Sequence, residues 1–530
     1  MKKNNFLDWV VYQIYPRSFF DGNGDGIGDL KGITQKLDYL IELGVNAVWL
    51  SPCYKSPNCD NGYDISDYRD IMDEFGTLDD WKEMISGMHD RGIKLIMDFV
   101  ANHTSSEHEW FKQARTSRNN PYHDYYIWRD EIPNDWQSVF FGSAWEYNAP
   151  TNEYYLHSFA VEQPDLNWEN PKVRKEMCAI IDYWVDLGVD GFRCDVIDYI
   201  AKDFERGLMN NGPKLHVYIR ELFGREKVKH VFTVGECSMG EDKIADICGA
   251  DRDELKCIFQ FDHIGHGRSD KYTLVKPNID ELRNTLVKWQ YFTEEHNLLY
   301  TLVTDNHDQP HYIERGGHGG HNRYEVATMY AAMFYLLKGI PFIYQGIEFG
   351  TPDPHYDNIA DYDDVETLNY YRDHKDESDI MKRVNVGSRD NTRRPMCWDN
   401  TKNYGFSSAD KTWIKIHSRG GEVNLESDRK AKKSVFAFYQ KLLALRNSSN
   451  TVKFGKFEDI TRGDGYFAYM RTFRGKQILV VCNFDDMREI TDLPASKYLF
   501  GNSKERGPNG TYMPFETAVF MRSIPKEKDI

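Results

Sequence analysis

Short apolar runs recur eight times along the first two thirds of the chain, at residues 10–15, 45–50, 93–100, 189–196, 230–236, 257–261, 299–304 and 340–344. Most are followed by a longer stretch, such as 78–91, 171–187 and 324–338, whose apolar residues fall at helical spacing with charges on the outer face. Pro171 stands at the start of the second of these and Gly188 just past its end, a common start and stop arrangement. Eight strand–helix alternations predict an α/β protein built on a (β/α)₈ TIM barrel.

The spacing is uneven, and this predicts the domain plan. Roughly seventy residues separate the third run from the helix leading to the fourth, where a βα loop ordinarily takes ~2–6. That segment is rich in Trp, Tyr, Asn and Pro. We read residues 1–103 as the first part of the barrel, 104–170 as an inserted domain, and 171–451 as the second part, with a further insert at about 351–398. From residue 452 the pattern changes to short alternating strands, as in Tyr466-Phe-Ala-Tyr-Met-Arg, which predicts a C-terminal antiparallel β domain over 452–530.

With 530 residues the chain can bury a large core and hold more than one domain. A net charge of −17 argues against nucleic acid or an anionic membrane as partner. No stretch is long and apolar enough for a membrane span, and the N-terminus lacks the apolar core of a signal peptide. The nine cysteines are odd in number and several lie inside apolar runs, so free thiols in a reducing cytoplasm are expected. The 12 Trp and 33 Tyr exceed what core packing alone favours, and add stacking surfaces for an apolar-faced ligand such as a sugar ring.

Candidate chemistry gathers at the run ends. Three runs finish on acids: Asp195 after Gly188-Val-Asp-Gly-Phe-Arg-Cys, Glu236 after Val231-Phe-Thr-Val-Gly, and Asp308 after Leu302-Val-Thr-Asp-Asn-His. In a parallel barrel the C-terminal strand ends converge on one face, so carboxylates far apart in sequence meet around one pocket, a constellation suited to glycosidic bond cleavage. Arg193, two residues before Asp195, shares its strand face and would favour the ionised carboxylate. Separately, Asp21-Gly-Asn23-Gly-Asp25-Gly-Ile27-Gly-Asp29 is an oxygen-rich loop suited to a hard cation. It opens like an EF-hand, but Gly32 occupies the place of the closing Glu.

Six motifs in order complete the picture: Val10-Val-Tyr-Gln-Ile-Tyr-Pro-Arg-Ser-Phe, Asp98-Phe-Val-Ala-Asn-His103, Gln163-Pro-Asp-Leu-Asn167, Gly191-Phe-Arg-Cys-Asp195, Gly235-Glu236 and Asp305-Asn-His-Asp308. Over essentially its whole length the chain resembles the α-amylase superfamily of glycoside hydrolases, on its oligo-1,6-glucosidase and α-glucosidase branch. The resemblance implies Asp195 as nucleophile, Glu236 as general acid and base with a raised pKa, and Asp308 as stabiliser of the distorted sugar. It implies a terminal-glucose subsite of Tyr63, Asp64, His103, His307 and Arg393, with Asp64 paired to Arg393 across the pocket floor. Val196, next to the nucleophile, is the residue that in this branch accompanies α-1,6 preference, whereas Thr or Ala accompanies α-1,4. Relatives also bind calcium on loops like 21–29, which implies structural Ca²⁺ held by Asp21, Asn23, Asp25, Ile27 and Asp29. Arg394 and Cys397 depart from the family's usual Thr and Gln and bear on the acceptor rim. The implied partners are small α-glucoside oligosaccharides. Alternatives within the family are an α-1,4-preferring α-glucosidase, a trehalose-6-phosphate hydrolase and a sucrose isomerase. The last is disfavoured because Phe261-Asp-His-Ile-Gly-His-Gly-Arg268 lacks paired arginines. A transporter-associated barrel without catalysis would lack the carboxylates, which are present.

Overall fold

A computed structural model describes residues 6–237, 239–249, 252–315 and 322–524 of the chain. Eight parallel strands form one sheet: β1 (Val11–Ile14), β2 (Ala47–Leu50), β3 (Lys94–Val100), β4 (Gly191–Asp195), β5 (Phe232–Gly235), β6 (Cys257–Ile258), β7 (Thr301–Val303) and β8 (Ile340–Tyr344). Their order, β6-β5-β4-β3-β2-β1-β8-β7, wraps the sheet into a barrel with its seam between β6 and β7. A side chain spans that seam. Thr301 Oγ1 donates to the Ile258 carbonyl at 3.2 Å and accepts from the Gln260 amide at 3.3 Å. β6 stops at Ile258, short of the expected residue 261: its pairing ends where β5 ends, at Gly235, and the Gln260 amide turns to the Thr301 hydroxyl.

Alternate strand residues divide between two cores, as a period of two requires. Val11, Trp49, Ile96, Phe232, Val303 and Phe342 belong to a buried cluster filling the barrel. Tyr12, Val48, Leu95 and Ile343 join the larger core under the surrounding helices. Each large apolar side chain so buried contributes about 1.5–3 kcal/mol. The helix Pro171–Asp186 shows how the sequence sets an element's ends. Asn170 caps its first turn through Lys172 N, Pro171 fills a position needing no N–H, and Val173, Met177, Ile180, Ile181 and Trp184 form its buried stripe. Gly188 then turns the chain into β4 at φ 108°.

The segment after β3 carries a three-stranded antiparallel sheet ordered Trp128–Arg129, Glu153–Leu156, Trp145–Asn148. It is latched to the barrel by the backbone bridge His103↔Asp165 and by the Leu166 amide donating to the Asn102 carbonyl at 2.9 Å. The buried Lys202 ammonium reinforces the latch, donating to Asp165 at 2.8 Å and Asn102 Oδ1 at 2.7 Å. The segment after β8 holds helices Val365–His374 and Ile380–Gly387, packed on a tyrosine-rich core, and then the short helix Asp390–Arg393. Past residue 455 lies a five-stranded antiparallel sheet, Lys456–Asp459, Tyr466–Phe473, Lys476–Asn483, Thr517–Ser523 and Lys497–Gly501 in order. Buried Tyr469 and Arg471 dock it by donating to the Met333 and Leu336 carbonyls.

Candidate active site

Strand register gathers the first acids. Asp98 on β3 pairs with Arg193 on β4, Val100 pairs with Asp195, and Gly235 on β5 pairs with Cys194. Asp98, Arg193, Asp195 and Glu236 therefore emerge together at the C-terminal end of three adjacent strands. Arg193, 1% exposed, is the hub: Nη1 meets Asp98 Oδ1 at 2.7 Å and Asp195 Oδ1 at 2.5 Å, while Nη2 donates to Glu236 Oε2. One planar fork thus holds both strand-end carboxylates, and its span bounds their separation. Burial pushes the Asp195 carboxyl well up, and Arg193 opposes this by favouring the anion. Burial likewise raises Asp98, to about 6, against the pull of Arg193.

The loop after β7 supplies the third acid. Asp308 accepts from Arg393 Nη2 at 2.9 Å and lies 3.4 Å from Arg389 Nη1. Burial works to raise its carboxyl, but the adjacent His307 and the guanidiniums of Arg393, Arg389 and Arg193 outweigh it and hold it well below the usual range. Burial holds His307 neutral, its pKa lowered to about 3. The Gln13 amide nitrogen meets His307 Nδ1 at 2.8 Å, so Nδ1 accepts and the proton sits on Nε2. That Nε2 faces the Tyr63 hydroxyl at 2.7 Å and Asp308 Oδ2 at 3.1 Å, and Tyr63 in turn donates to Asp98 at 3.2 Å. Tyr63, Asp98, His307 and Asp308 form one connected polar wall.

The pairing expected between Asp64 and Arg393 is not found. Asp64 is fully buried and turned into its own loop, accepting from Ser56 Oγ, Cys59 N and Asp60 N at 2.9–3.0 Å. Arg393 serves the β7 loop through Asp308 and the His307 carbonyl. Arg389 pairs instead with Asp60, at 2.9 Å, and Asp364 accepts from the same guanidinium at 2.6 Å. With φ of +99° at Gly62, the loop turns so that Asp60 faces outward to Arg389 and Asp64 takes over the turn's amides. Asp60, Asp364 and Arg389 are site residues that sequence reasoning missed.

His103 sits beside this pair. Its Nε2 lies 3.2 Å from Gln163 Nε2, which also donates to Asp60 at 3.1 Å, and burial lowers its pKa to about 4. At the mouth, Val196 packs with Phe140, Phe159, Tyr199 and Val365. Its backbone is left-handed, φ 33° and ψ 47°, an unusual state for a β-branched residue and a mark of strain at functional positions. Arg394 does not reach this mouth: it is buried over Tyr356 at 4.4 Å and donates to the Lys415 carbonyl, and Cys397 is buried too.

In the loop after β1, the buried Asp21 accepts from Asn23, Gly24 and Gly26 amides, and Asp29 from Gly22, Asn23 and Gly32. Asn23 and Asp25 are exposed and bonded to each other. Among the described residues, no three carboxylate, imidazole or thiol groups gather as a metal set. The loop's own ligating atoms are hard oxygens, but both Asp21 oxygens and Asp29 Oδ2 already accept two hydrogen bonds each. A cation would have to replace some of these and would find Asp29 Oδ1 and the exposed Asn23 and Asp25 side chains the more open.

A barrel that gathers carboxylates at its strand ends around one guanidinium has the architecture of a glycoside hydrolase. The alpha amylase catalytic domain matches residues 13–455, and the chain belongs to that family. It is 46% identical over 516 residues to the oligo-1,6-glucosidase of Parageobacillus thermoglucosidasius, covering 92% of this chain and 91% of that one. To the glucan 1,6-alpha-glucosidase of Streptococcus pneumoniae it is 41% identical, over 90% and 91% of the two chains. Among solved structures, the trehalose-6-phosphate hydrolase of Bacillus licheniformis matches with a TM-score of 0.91 and 37% identity, over 98% of this chain and 99% of that one.

Proposed function

We propose that this enzyme is an exo-acting, retaining α-glucosidase that removes terminal α-1,6-linked glucose from isomaltose and short isomaltooligosaccharides. The observation that carries this reading is the single Arg193 fork touching both Asp195 and Glu236. Carboxyls so joined suit the ~5–5.5 Å spacing of retaining enzymes better than the ~6.5–9.5 Å of inverting ones. Asp195 attacks the anomeric carbon and forms the glycosyl-enzyme bond, while the Glu236 proton passes to the departing glycosidic oxygen. Water then enters, Glu236 takes its proton, and the covalent bond to Asp195 breaks with release of α-glucose. Asp308, ionised between Arg393 and Arg389, holds the hydroxyls of the distorted ring. The Asp60–Arg389 pair, backed by Asp364, closes the end of the pocket, which favours a chain terminus over an internal bond.

Linkage preference rests on Val196 and on the names of the relatives. A rigid apolar group beside the nucleophile offers no hydroxyl to an α-1,4-linked acceptor and leaves room for the flexible 6-carbon link. Glucose release measured side by side from isomaltose, maltose, sucrose, trehalose-6-phosphate and starch should be fastest from isomaltose. Val196→Thr is expected to shift the maltose-to-isomaltose ratio by about tenfold toward maltose. A wild-type enzyme preferring maltose would overturn the linkage reading.

Calcium on the loop after β1 is part of the same proposal. Asp21, Asn23, Asp25 and Asp29, with the Ile27 carbonyl, would hold it, supplying a cross-link within the turn and no chemistry to the sugar. Chelation is expected to lower Tm, with calcium restoring it and low-temperature activity retained; no thermal shift would leave a glycine-punctuated turn. A cytoplasmic setting is supported by nine unpaired cysteines. Among the described residues no helix is long and apolar enough to cross a membrane.

A further inference from the structure

A substrate chain leaving the pocket has to cross its rim, because the proposed exo reading closes the other end at Asp60 and Arg389. That rim is apolar. Phe140 lies in the mouth cluster with Val196, Phe159 and Ala160, and Val139 and Phe141 on either side of it are exposed. Val161, next to Ala160, is exposed too, as is Leu368, one helical turn past Val365 of the same cluster. The segments after β3 and β8 meet here: the Asn369 amide donates to the Phe140 carbonyl at 2.9 Å, and the Arg389 guanidinium lies 4.7 Å over the Phe140 ring.

Phe141 stands out on this rim. It sits at the tip of a tight turn, where its own N–H donates to the Ser138 carbonyl at 3.2 Å and the Ser138 N–H to the Gly142 carbonyl at 2.9 Å. Phe141 and Gly142 are both left-handed, at φ 72° and 82°. Tight turns place glycine or asparagine at such positions, because a side chain there is strained and a bulky ring is an outlier. Packing does not account for the ring. Phe141 is 36% exposed, and among the described residues its ring meets one other, Tyr370, tilted at 6.1 Å. A Cβ placed at Gly142 would meet nothing within 4 Å, so the tip stands in open space. Tyr370, by contrast, is held firmly, stacked on Tyr272 at 3.6 Å and on His374 at 4.2 Å. Strain that no packing offsets gathers at ligand-binding positions. An exposed aromatic face beside the mouth of a sugar pocket suits the C–H face of a pyranose ring.

We infer that Phe141 is the platform on which the third glucose unit of an isomaltooligosaccharide stacks, one unit beyond the sugar that departs at the cleaved bond. The inference rests on the exo-acting reading proposed above and adds chain length to it. The test measures kcat/KM for isomaltose and isomaltotriose on the wild-type enzyme and on Phe141→Gly, Phe141→Asn and Phe141→Tyr. Glycine and asparagine accept the left-handed backbone, so neither should lower Tm. Both should lower the isomaltotriose-to-isomaltose ratio about fivefold, through KM for the trisaccharide, whereas Phe141→Tyr should hold it. A ratio unchanged in the glycine and asparagine variants would overturn the platform. So would an equal loss on both sugars accompanied by a lower Tm, the mark of a ring that only packs the turn. A wild-type enzyme that leaves isomaltose uncut would overturn the functional reading instead, so the two failures are told apart.

Discussion

Asp195→Asn is expected to lower kcat on isomaltose by on the order of 10⁵-fold or more, the scale seen when a covalent nucleophile is removed. Glu236→Gln should behave differently, and the difference separates the two roles. Without an acid, departure of a sugar alcohol stalls. A substrate with a strongly acidic phenol as leaving group needs no proton and should still glycosylate Asp195. The glycosyl-enzyme then lacks a base to activate water and accumulates, visible in the intact-protein mass spectrum as one added hexosyl group on Asp195. The wild-type enzyme should release α-glucose first, by NMR. A Glu236→Gln enzyme that never carries the adduct, or β-glucose as first product, would refute the assignment. Each substitution also removes a charge from the Arg193 guanidinium, which holds three carboxylates, so the fold of each variant is checked by circular dichroism.

The barrel was readable in the sequence because parallel strands buried on both faces leave apolar runs of distinctive length, and helices between them leave a different period. Asp195 and Glu236 were readable for the same reason: a strand end is a position that sequence pattern locates. Asp308 lies past the end of β7, in the loop that follows it, and was marked by its motif and not by a strand end. Arg193 followed from its i, i+2 relation to Asp195. Asp98 stood in a quoted motif, and knowing that β3 lies beside β4 would have paired it with Arg193. The Asp60–Arg389 pair was not legible, because the two residues are 329 apart and meet through two loops whose approach no local pattern records. The run Asp60-Asn-Gly-Tyr-Asp64 holds two acids, and a left-handed glycine between them decides which one faces the pocket. The left-handed backbone of Val196 was equally hidden, since nothing in its residue type marks it.

Asp60→Asn and Asp64→Asn should separate these two acids. Asp60 is buried against Arg389 and Gln163, at the end of the pocket where the terminal glucose is proposed to sit. Its removal unbalances Arg389 and deletes a charged hydrogen-bond acceptor, each such bond being worth ~1.5–3 kcal/mol. We expect kcat/KM for isomaltose to fall on the order of 10²-fold, most of it in KM. Arg389→Lys should fall as far, because a point charge cannot keep the fork geometry that joins Asp60 to Asp364. Arg389→Met should also unfold more easily, since stranding buried carboxylates costs about 3–5 kcal/mol. Asp64 is different: burial pushes its pKa up to about 6, and its oxygens serve one hydroxyl and two backbone amides. An asparagine keeps one of those oxygens, so Asp64→Asn should lower Tm while kcat/KM stays within about tenfold. Thermal melts and isomaltose kinetics on the same preparations decide the matter. If Asp64→Asn were the more damaging to kcat/KM and Asp60→Asn the milder, the pocket would be closed by Asp64 after all, and the Asp60–Arg389 pair would be a structural tie.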